Sequence, residues 1–226
     1  MLYAVVPAAG RGARMDAGLP KQYLQLGGRA VIEHALEPLL DYPELEQLVV
    51  VLAPDDQAFV TLGVAGHPLL STCVGGASRA DSVLAGLNAL DAADADDWVL
   101  VHDAARPCLR PDDLDRLVRQ ARRSPDGGLL AVPARDTLKQ SQEGHASSTL
   151  DRSTIWQAQT PQLFRLGLLR QALEQGDRMH ITDEASAIEL AGGRPRLVQG
   201  HGDNLKVTWL DDLPMAEASL RAQGRL

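Results

Sequence analysis

The chain is short of most features that announce a protein class. Its 226 residues hold two cysteines, Cys73 and Cys108, and no CxxC pair. That excludes a disulfide framework and points to a reduced, cytosolic chain. No apolar run approaches the ~20 residues needed to cross a membrane. No basic stretch precedes the first apolar segment, so a signal peptide is not expected, and the expected location is cytoplasmic. Positive charge is in deficit, with 22 Lys and Arg against 30 Asp and Glu for a net charge of −8. That deficit argues against a nucleic-acid backbone as the partner, while leaving room for a local basic pocket. Internal repeats and low-complexity tracts are lacking, and no second His or Cys stands at metal-ligand spacing from His102. His102 is expected to organise the turn before Asp103. The other histidines are scattered and read as surface or structural residues.

What is present is apolar content of 45%, enough for one large α/β domain across residues 1–226. Leu2–Val6 is a short β-branched run with the character of a buried strand. It breaks at Pro7 into Ala8-Ala9-Gly10-Arg11-Gly12, with Arg14 and Lys21 close behind. Small side chains there let backbone N–H groups approach a phosphate. The loop is not a dinucleotide fingerprint, because Met15 stands where the third glycine would be, and no G-x-x-x-x-G-K-[ST] occurs.

Downstream the pattern alternates. Helical spacing over Ile32–Leu40 precedes a continuous apolar run, Leu48–Leu52, as expected of a strand covered on both faces. A short helix is expected from about Asp55 and a weak strand over Leu69–Val74. Then come a helix over Arg79–Leu90, a strand at Trp98–Val101, a helix over Pro111–Ala121 and a strand at Gly128–Val132. This β-α-β order predicts a mostly parallel, doubly wound sheet. From Ala134 to Trp156 the sequence is polar and unpatterned, too long for an ordinary connection. A protruding hairpin is expected there, burying Thr149-Leu150 and Ile155-Trp156. Helices near Arg165–Glu174 and Asp183–Ala191, a strand at Arg196–Gln199 and a helix from Asp211 complete the chain. Asp183 reads as the N-cap of its helix.

Ligands of such sheets sit beyond the carboxyl ends of the strands. The chemistry-bearing residues fall there: the Gly10 loop, Gly75-Gly76-Ala77-Ser78 with Arg79 and Ser82, His102-Asp103-Ala104-Ala105-Arg106-Pro107, and Arg135-Asp136-Thr137. Each alone reads equally well as a turn or a cap; four in one sheet point to a phosphate-binding site.

Those stretches resemble the cytidylyltransferases of 2-C-methyl-D-erythritol 4-phosphate. Pro7-Ala8-Ala9-Gly10-x-Gly12-x-Arg14-Met15 with Pro20-Lys21-Gln22-Tyr23 carries the resemblance. It continues through Gly75-Gly76-x-x-Arg79-x-x-Ser82 and the His102–Pro107 run, then through Asp136-Thr137, Asp151-Arg152, Thr160-Pro161-Gln162, Thr182–Ala185 and Asn204–Thr208. The resemblance implies a Rossmann-like nucleotidyltransferase with a β-arm at residues 134–156 that joins two subunits. It implies transfer of CMP from CTP to the polyol phosphate, with Mg²⁺ on the triphosphate and release of pyrophosphate. Arg14 and Lys21 would be catalytic. Ala8, Ala9, Gly10, Gly12, Gly76, Ala77, Ser82 and Ala104 would hold the nucleotide. Asp103, Arg106, Thr137, Arg152, Thr160 and Lys206 would surround the acceptor, Arg152 serving the neighbour's site. Asp103 is the one protein ligand expected for the metal, which the CTP phosphates would otherwise hold. Ala77 stands where the family often has an acidic residue, leaving a backbone contact there. Two alternatives stay open: a sister cytidylyltransferase for another polyol phosphate such as ribitol 5-phosphate, and a non-catalytic nucleotide-binding module.

Overall fold

In the computed structural model of the chain, which describes residues 1–10, 19–177 and 180–226, strand β1 (Leu2–Pro7) runs through the middle of a seven-stranded sheet. Its even residues, Leu2, Ala4 and Val6, pack into one core cluster, and its odd residues, Tyr3 and Val5, into another on the opposite face. A strand buried on both faces has no polar side, so it reads as an unbroken apolar run. A two-residue hairpin, β2 (Gln25–Leu26) and β3 (Arg29–Ala30), turns at Gly27 and Gly28, both at positive φ. Helix α1 (Val31–Leu40) then crosses to β4 (Leu45–Leu52), which pairs parallel with β1. Strand β5 (Leu70–Val74) adds parallel to β4 at the sheet edge. Helix α2 (Arg79–Asn88) returns the chain to β6 (Trp98–Val101), on the other side of β1. The strand order therefore reverses between β1 and β6, and a crevice opens above their carboxyl ends.

Helix α3 (Pro111–Ala121) and β7 (Gly128–Pro133) follow as expected. Between β4 and β5 the expected helix from Asp55 does not form. The Asp56 carboxylate accepts from the Ala58 and Phe59 amides at 2.9 and 3.0 Å, and the chain makes only 3₁₀ turns at Phe59–Thr61 and Gly63–Gly66. A side chain that satisfies nearby amides competes with a helix ladder, and Pro54, Gly63 and Gly66 weaken the helix further.

The polar stretch is a hairpin. β8 (Leu138–Gln142) and β9 (His145–Leu150) pair antiparallel around Glu143 and Gly144, at φ 52° and 81°. Positive φ at both loop positions is the turn that matches strand twist. The expected apolar burial is different, however. Leu150 is exposed, while Ile155 and Trp156 belong to the root, where the Ile155 carbonyl accepts from the Ala134 amide at 3.0 Å.

Trp156 also opens a strand that the sequence reading missed. β10 (Trp156–Arg165) inserts between β6 and β7, antiparallel to both. Gln157, Gln159, Gln162 and Pro161 hid it, since neither apolar runs nor alternation mark it. The pairing with β7 shifts register between Ala158 and Gln162, which accommodates the proline. Helices α4 (Leu166–Gln175) and α5 (Glu184–Leu190) pack with α2 on one face of the sheet, and α1 and α3 cover the other. Strand β11 (Arg196–Gln199) adds parallel to β7 at the far edge, and α6 (Asp212–Ala222) packs on a small cluster with Leu26, Val31 and Cys108. No described helix is long and apolar enough to cross a membrane.

Candidate active site

The cleft forms where three strands end. β1 delivers Pro7 to Gly10, β5 delivers Gly76 to Ser78, and β6 delivers Asp103 to Ala105; Lys21, Gln22 and Lys206 close the sides of a cavity of about 240 Å³. Its floor is two loops in contact. A Cβ on Gly75 would lie 2.7 Å from the Ala9 Cβ and 2.8 Å from the Ser82 Oγ, so only glycine lets the loops meet. Ser82 ties its own loop together: its Oγ accepts from the Gly76 amide at 3.2 Å and donates to the Ser78 carbonyl at 2.9 Å. Ser78 caps α2 by accepting from the Asp81 amide at 3.1 Å. The first loop is held from behind by Gln22, whose amide donates to the Ala8 carbonyl at 2.7 Å and the Gly10 carbonyl at 3.3 Å. Those carbonyls are drawn back toward Gln22, and among the described residues nothing lies within 4 Å of where a Cβ on Gly10 would stand. Lys21 reaches over the cleft and donates to the Val207 carbonyl at 3.1 Å.

Asp103 is the electrostatic centre. Its Oδ1 accepts from Arg79 Nη2 at 3.1 Å, its Oδ2 lies 2.8 Å from Lys206 Nζ, and Arg106 Nε stands 3.8 Å away. Burial alone would raise this carboxyl, but Arg79, Lys206 and Arg106 outweigh it and hold the group well below the usual carboxylate range. Arg79 is clamped from its other side by Glu184, at 2.6 and 3.1 Å, and Glu184 is only 1% exposed. Burial opposes the charge on Arg79, yet the two carboxylates raise its pKa and keep it protonated. On Glu184, burial pushes the carboxyl above the ordinary range against the pull of Arg79. Asp183, next to it, caps α5 by accepting from the Ser186 amide at 2.9 Å.

Two further hollows adjoin the first. One, of about 250 Å³, shares Arg79, Asp103 and Lys206 with it and adds Arg106, Gln159, Thr160 and Gln162. The other, of about 400 Å³, shares Lys206 with the first cavity and Arg106 with the second, and opens toward Arg135, Asp136 and Asn204. Thr160 Oγ accepts from the Asp103 amide at 3.0 Å, and Asn204 Nδ2 donates to the Thr160 carbonyl at 2.9 Å. Arg106 Nη1 donates to the Asn204 carbonyl at 2.7 Å. Burial lowers the Arg106 pKa.

The structure thus brings Ala8, Ala9, Gly10, Lys21, Gly76, Ala77, Ser82, Asp103, Ala104 and Lys206 around one cavity, with Arg106 and Thr160 in the adjoining hollows. Thr137 and Arg152 are exposed and line none of these hollows; Arg152 donates to the Arg135 carbonyl at the root of the arm. Gly12 and Arg14 lie outside the described residues. Sequence reasoning did not single out Gln22, Glu184 or Asn204 as parts of the site. Gln22 follows Lys21 directly, and Glu184 follows a helix cap, but their partners are 12 or more residues away in the chain. Among the described residues, the one grouping of three metal-type ligands is Asp112, Asp113 and His201, none of which lines the cleft. There Asp113 accepts from the His201 amide and imidazole and from Arg116, which makes the group a structural knot.

The family model described as 2-C-methyl-D-erythritol 4-phosphate cytidylyltransferase matches residues 2–222. A protein of that name from Ectopseudomonas mendocina is 57% identical over 216 residues, which is 93% of this chain and 92% of the relative. The fold matches a crystal structure of 4-diphosphocytidyl-2C-methyl-D-erythritol synthase with a TM-score of 0.86 at 41% identity, over 97% of this chain and 98% of that one. It also matches the 2-C-methyl-D-erythritol 4-phosphate cytidylyltransferase of Francisella tularensis, with a TM-score of 0.84 at 37% identity, over 97% and 99% of the two chains.

Proposed function

The chain belongs to the 2-C-methyl-D-erythritol 4-phosphate cytidylyltransferase family, and from that premise we propose a role for each wall of the cleft. The enzyme transfers CMP from CTP to the phosphate of methylerythritol phosphate, giving 4-diphosphocytidyl-2-C-methyl-D-erythritol and pyrophosphate in isoprenoid synthesis. One oxygen of the acceptor phosphate bonds to the α-phosphorus as the bond from that phosphorus to the pyrophosphate oxygen breaks. The nucleophile is a phosphate monoester with a second pKa of about 6, so it is already ionised at neutral pH. No protein base is needed; what the reaction needs is alignment and neutralisation of charge on the phosphates.

The observation that carries the assignment is the shared wall. Arg79, Asp103 and Lys206 face both the cavity floored by the glycine loops and the hollow beside it. CTP lies over Ala8 to Gly10, with the Gly76–Ala77 backbone and Ala104 around its base and ribose. Ser82, with its hydroxyl used inside its own loop, acts on the nucleotide by shaping that loop. Lys21 meets the triphosphate; for Arg14 and Gly12, outside the described residues, the same role rests on the family's sequence pattern alone. The acceptor sits against Asp103, Arg106, Thr160 and Lys206. The Asp103 carboxylate, kept ionised by its cationic neighbours, accepts from acceptor hydroxyls.

A divalent cation accompanies the triphosphate. Magnesium is held by one or two carboxylates together with substrate phosphates, and Asp103 supplies one carboxylate at this place. Arg79 takes both acceptor sites of Oδ1, and Oδ2 holds Lys206 at 2.8 Å, so the lone pair left on Oδ2 is what Asp103 would offer the metal. The metal would supply charge neutralisation on the phosphates.

The arm is the dimer device of a single nucleotidyltransferase domain. β8 and β9 are exposed on both faces except at Leu138, and an isolated two-stranded hairpin is marginally stable. A second subunit gives it a surface to pack on and brings Thr137 and Arg152 to the neighbour's acceptor site. The free thiols, Cys73 and Cys108, fit a reducing, cytoplasmic compartment. The test is Asp103→Asn, assayed by pyrophosphate release while the acceptor and CTP are varied in turn at saturating Mg²⁺: the acceptor KM should rise by more than the CTP KM. An unchanged acceptor KM would place the acceptor elsewhere.

A further inference from the structure

We propose that His102 is a positioning residue for the acceptor side of the cleft, acting through Thr160 on Asp103. His102 is fully buried and lines none of the three hollows, so it does not touch substrate. Its partners nevertheless fix its state. Nε2 lies 3.1 Å from the Arg106 carbonyl, which can only accept, so Nε2 carries the proton. Nδ1 is then an acceptor, and at 3.0 Å it takes the Thr160 hydroxyl proton. With its proton committed to the imidazole, Thr160 Oγ turns a lone pair to the Asp103 amide at 3.0 Å.

The same residues close a ring. Arg106 Nη1 donates to the Asn204 carbonyl, Asn204 Nδ2 to the Thr160 carbonyl, the Thr160 hydroxyl to His102 Nδ1, and His102 Nε2 to the Arg106 carbonyl. Every bond points the same way around, and three chain segments meet in it: the turn after β6, the register break of β10 and the loop before Val207. Arg106 enters twice, as guanidinium donor and as carbonyl acceptor, so the ring fixes both its side chain and its turn. A ring of this kind has one consistent arrangement of protons, and that arrangement aims the Asp103 amide and the Arg106 side chain. Loss of the His102–Thr160 link frees the Thr160 hydroxyl and with it the Asp103 amide on the acceptor wall, and leaves the CTP loops that hang on Gln22 and Ser82 untouched.

This inference rests on the placement of the acceptor against Asp103 and Arg106, and two variants of His102 separate its halves. Asparagine puts a side-chain oxygen near the Nδ1 position and keeps an acceptor for Thr160; glutamine puts its amide near Nε2, keeps the donor to Arg106 and loses the Thr160 link. His102→Gln should raise the acceptor KM about tenfold, the worth of one oriented hydrogen bond, with the CTP KM unchanged. His102→Asn should stay within about twofold of the parent for both substrates on the same scale. Thr160→Val, which also removes the acceptor for the Asp103 amide, should raise the acceptor KM at least as much as His102→Gln does, and the double variant should be no worse than Thr160→Val alone. Nitrogen NMR of His102 in the unmodified protein should show the Nε2–H tautomer. A proton on Nδ1, or two His102 variants that lose stability equally and leave the acceptor KM alone, would overturn the proposal. If Asp103→Asn leaves the acceptor KM unchanged, the placement of the acceptor fails and this inference falls with it. If Asp103→Asn raises it and His102→Gln does not, the positioning role alone is refuted.

Discussion

Replacing Glu184 with leucine tests whether the acceptor wall is held by the buried Arg79 clamp. Arg79 makes four N–H···O contacts, at 2.6 and 3.1 Å to Glu184 and at 3.1 and 3.3 Å to Asp103. Leucine fills most of the space but removes two of the four, and the whole of one counter-charge. Two unit charges about 4 Å apart interact by roughly 4 kcal/mol at an effective dielectric of about 20. Removing one partner of a buried pair costs about 3–5 kcal/mol in measured cases. Asp103 remains as a counter-charge 3.1 Å from Arg79, so the expected loss is at the low end, about 3 kcal/mol. For a domain of this size that corresponds to a melting temperature lower by about 6–12 °C. Urea denaturation supplies the free energy and calorimetry the temperature. The double variant Arg79→Met with Glu184→Leu removes the charges together, and its loss should be smaller than the sum of the single losses by about 2 kcal/mol. A Glu184→Leu loss below about 1 kcal/mol, or simple additivity in the cycle, would refute the clamp.

Lys21→Ala should retain the fold and CTP binding while turnover falls by about 10²–10³, the cost of removing one fixed donor to transition-state charge; single-turnover kinetics with CTP binding measured separately decides it. Stability should fall with acid in a way that depends on His102. Burial pushes its pKa down to about 4, against about 6.5 in the unfolded chain. Between those values the unfolded chain takes up a proton that the fold refuses, so stability drops by about 1.4 kcal/mol per pH unit, about 3 kcal/mol in all. The stability is fully present above pH 6.5 and this loss is complete at about pH 4; His102→Gln should lack it in urea titrations across that range. Burial also pushes the Cys108 thiol up to about 12, so a thiol reagent at pH 8 should modify half-buried Cys73 first and Cys108 only on unfolding. Heterodimers that pair an Arg152→Ala subunit with a Lys21→Ala subunit report the arm's reach: if Arg152 serves the neighbour, both defects fall in one site and the other site is intact, so about half the activity survives.

How much of this was legible in the residues follows from what each part depends on. The parallel half of the sheet was readable because β1, β4 and β6 are covered on both faces, which leaves continuous apolar runs. β10 was not, because its buried Gln159, Thr160 and Gln162 are acceptable in the core only through partners supplied by distant chain, such as the Asp183 carboxylate 2.8 Å from Gln162 Nε2. The helix expected from Asp55 failed for a local reason, the Asp56 carboxylate satisfying its own downstream amides. Within the site, the glycine loops and the His102–Pro107 run announced themselves by composition and by their place after strands. Glu184 did not, since a helix-cap position accounts for an acidic pair equally well and its partner Arg79 lies 105 residues away. The turn-organising role expected of His102 corresponds to its bonds with the Arg106 carbonyl and Thr160, although Thr160 belongs to the strand that went unseen.

The most direct measurement is pyrophosphate release by the purified protein with CTP and Mg²⁺, with and without methylerythritol phosphate, beside Asp103→Asn and Lys21→Ala. The account predicts release that depends on the acceptor, an acceptor KM raised by the first substitution, and turnover lost with the second. Release independent of the acceptor, or both variants matching the parent, would contradict it.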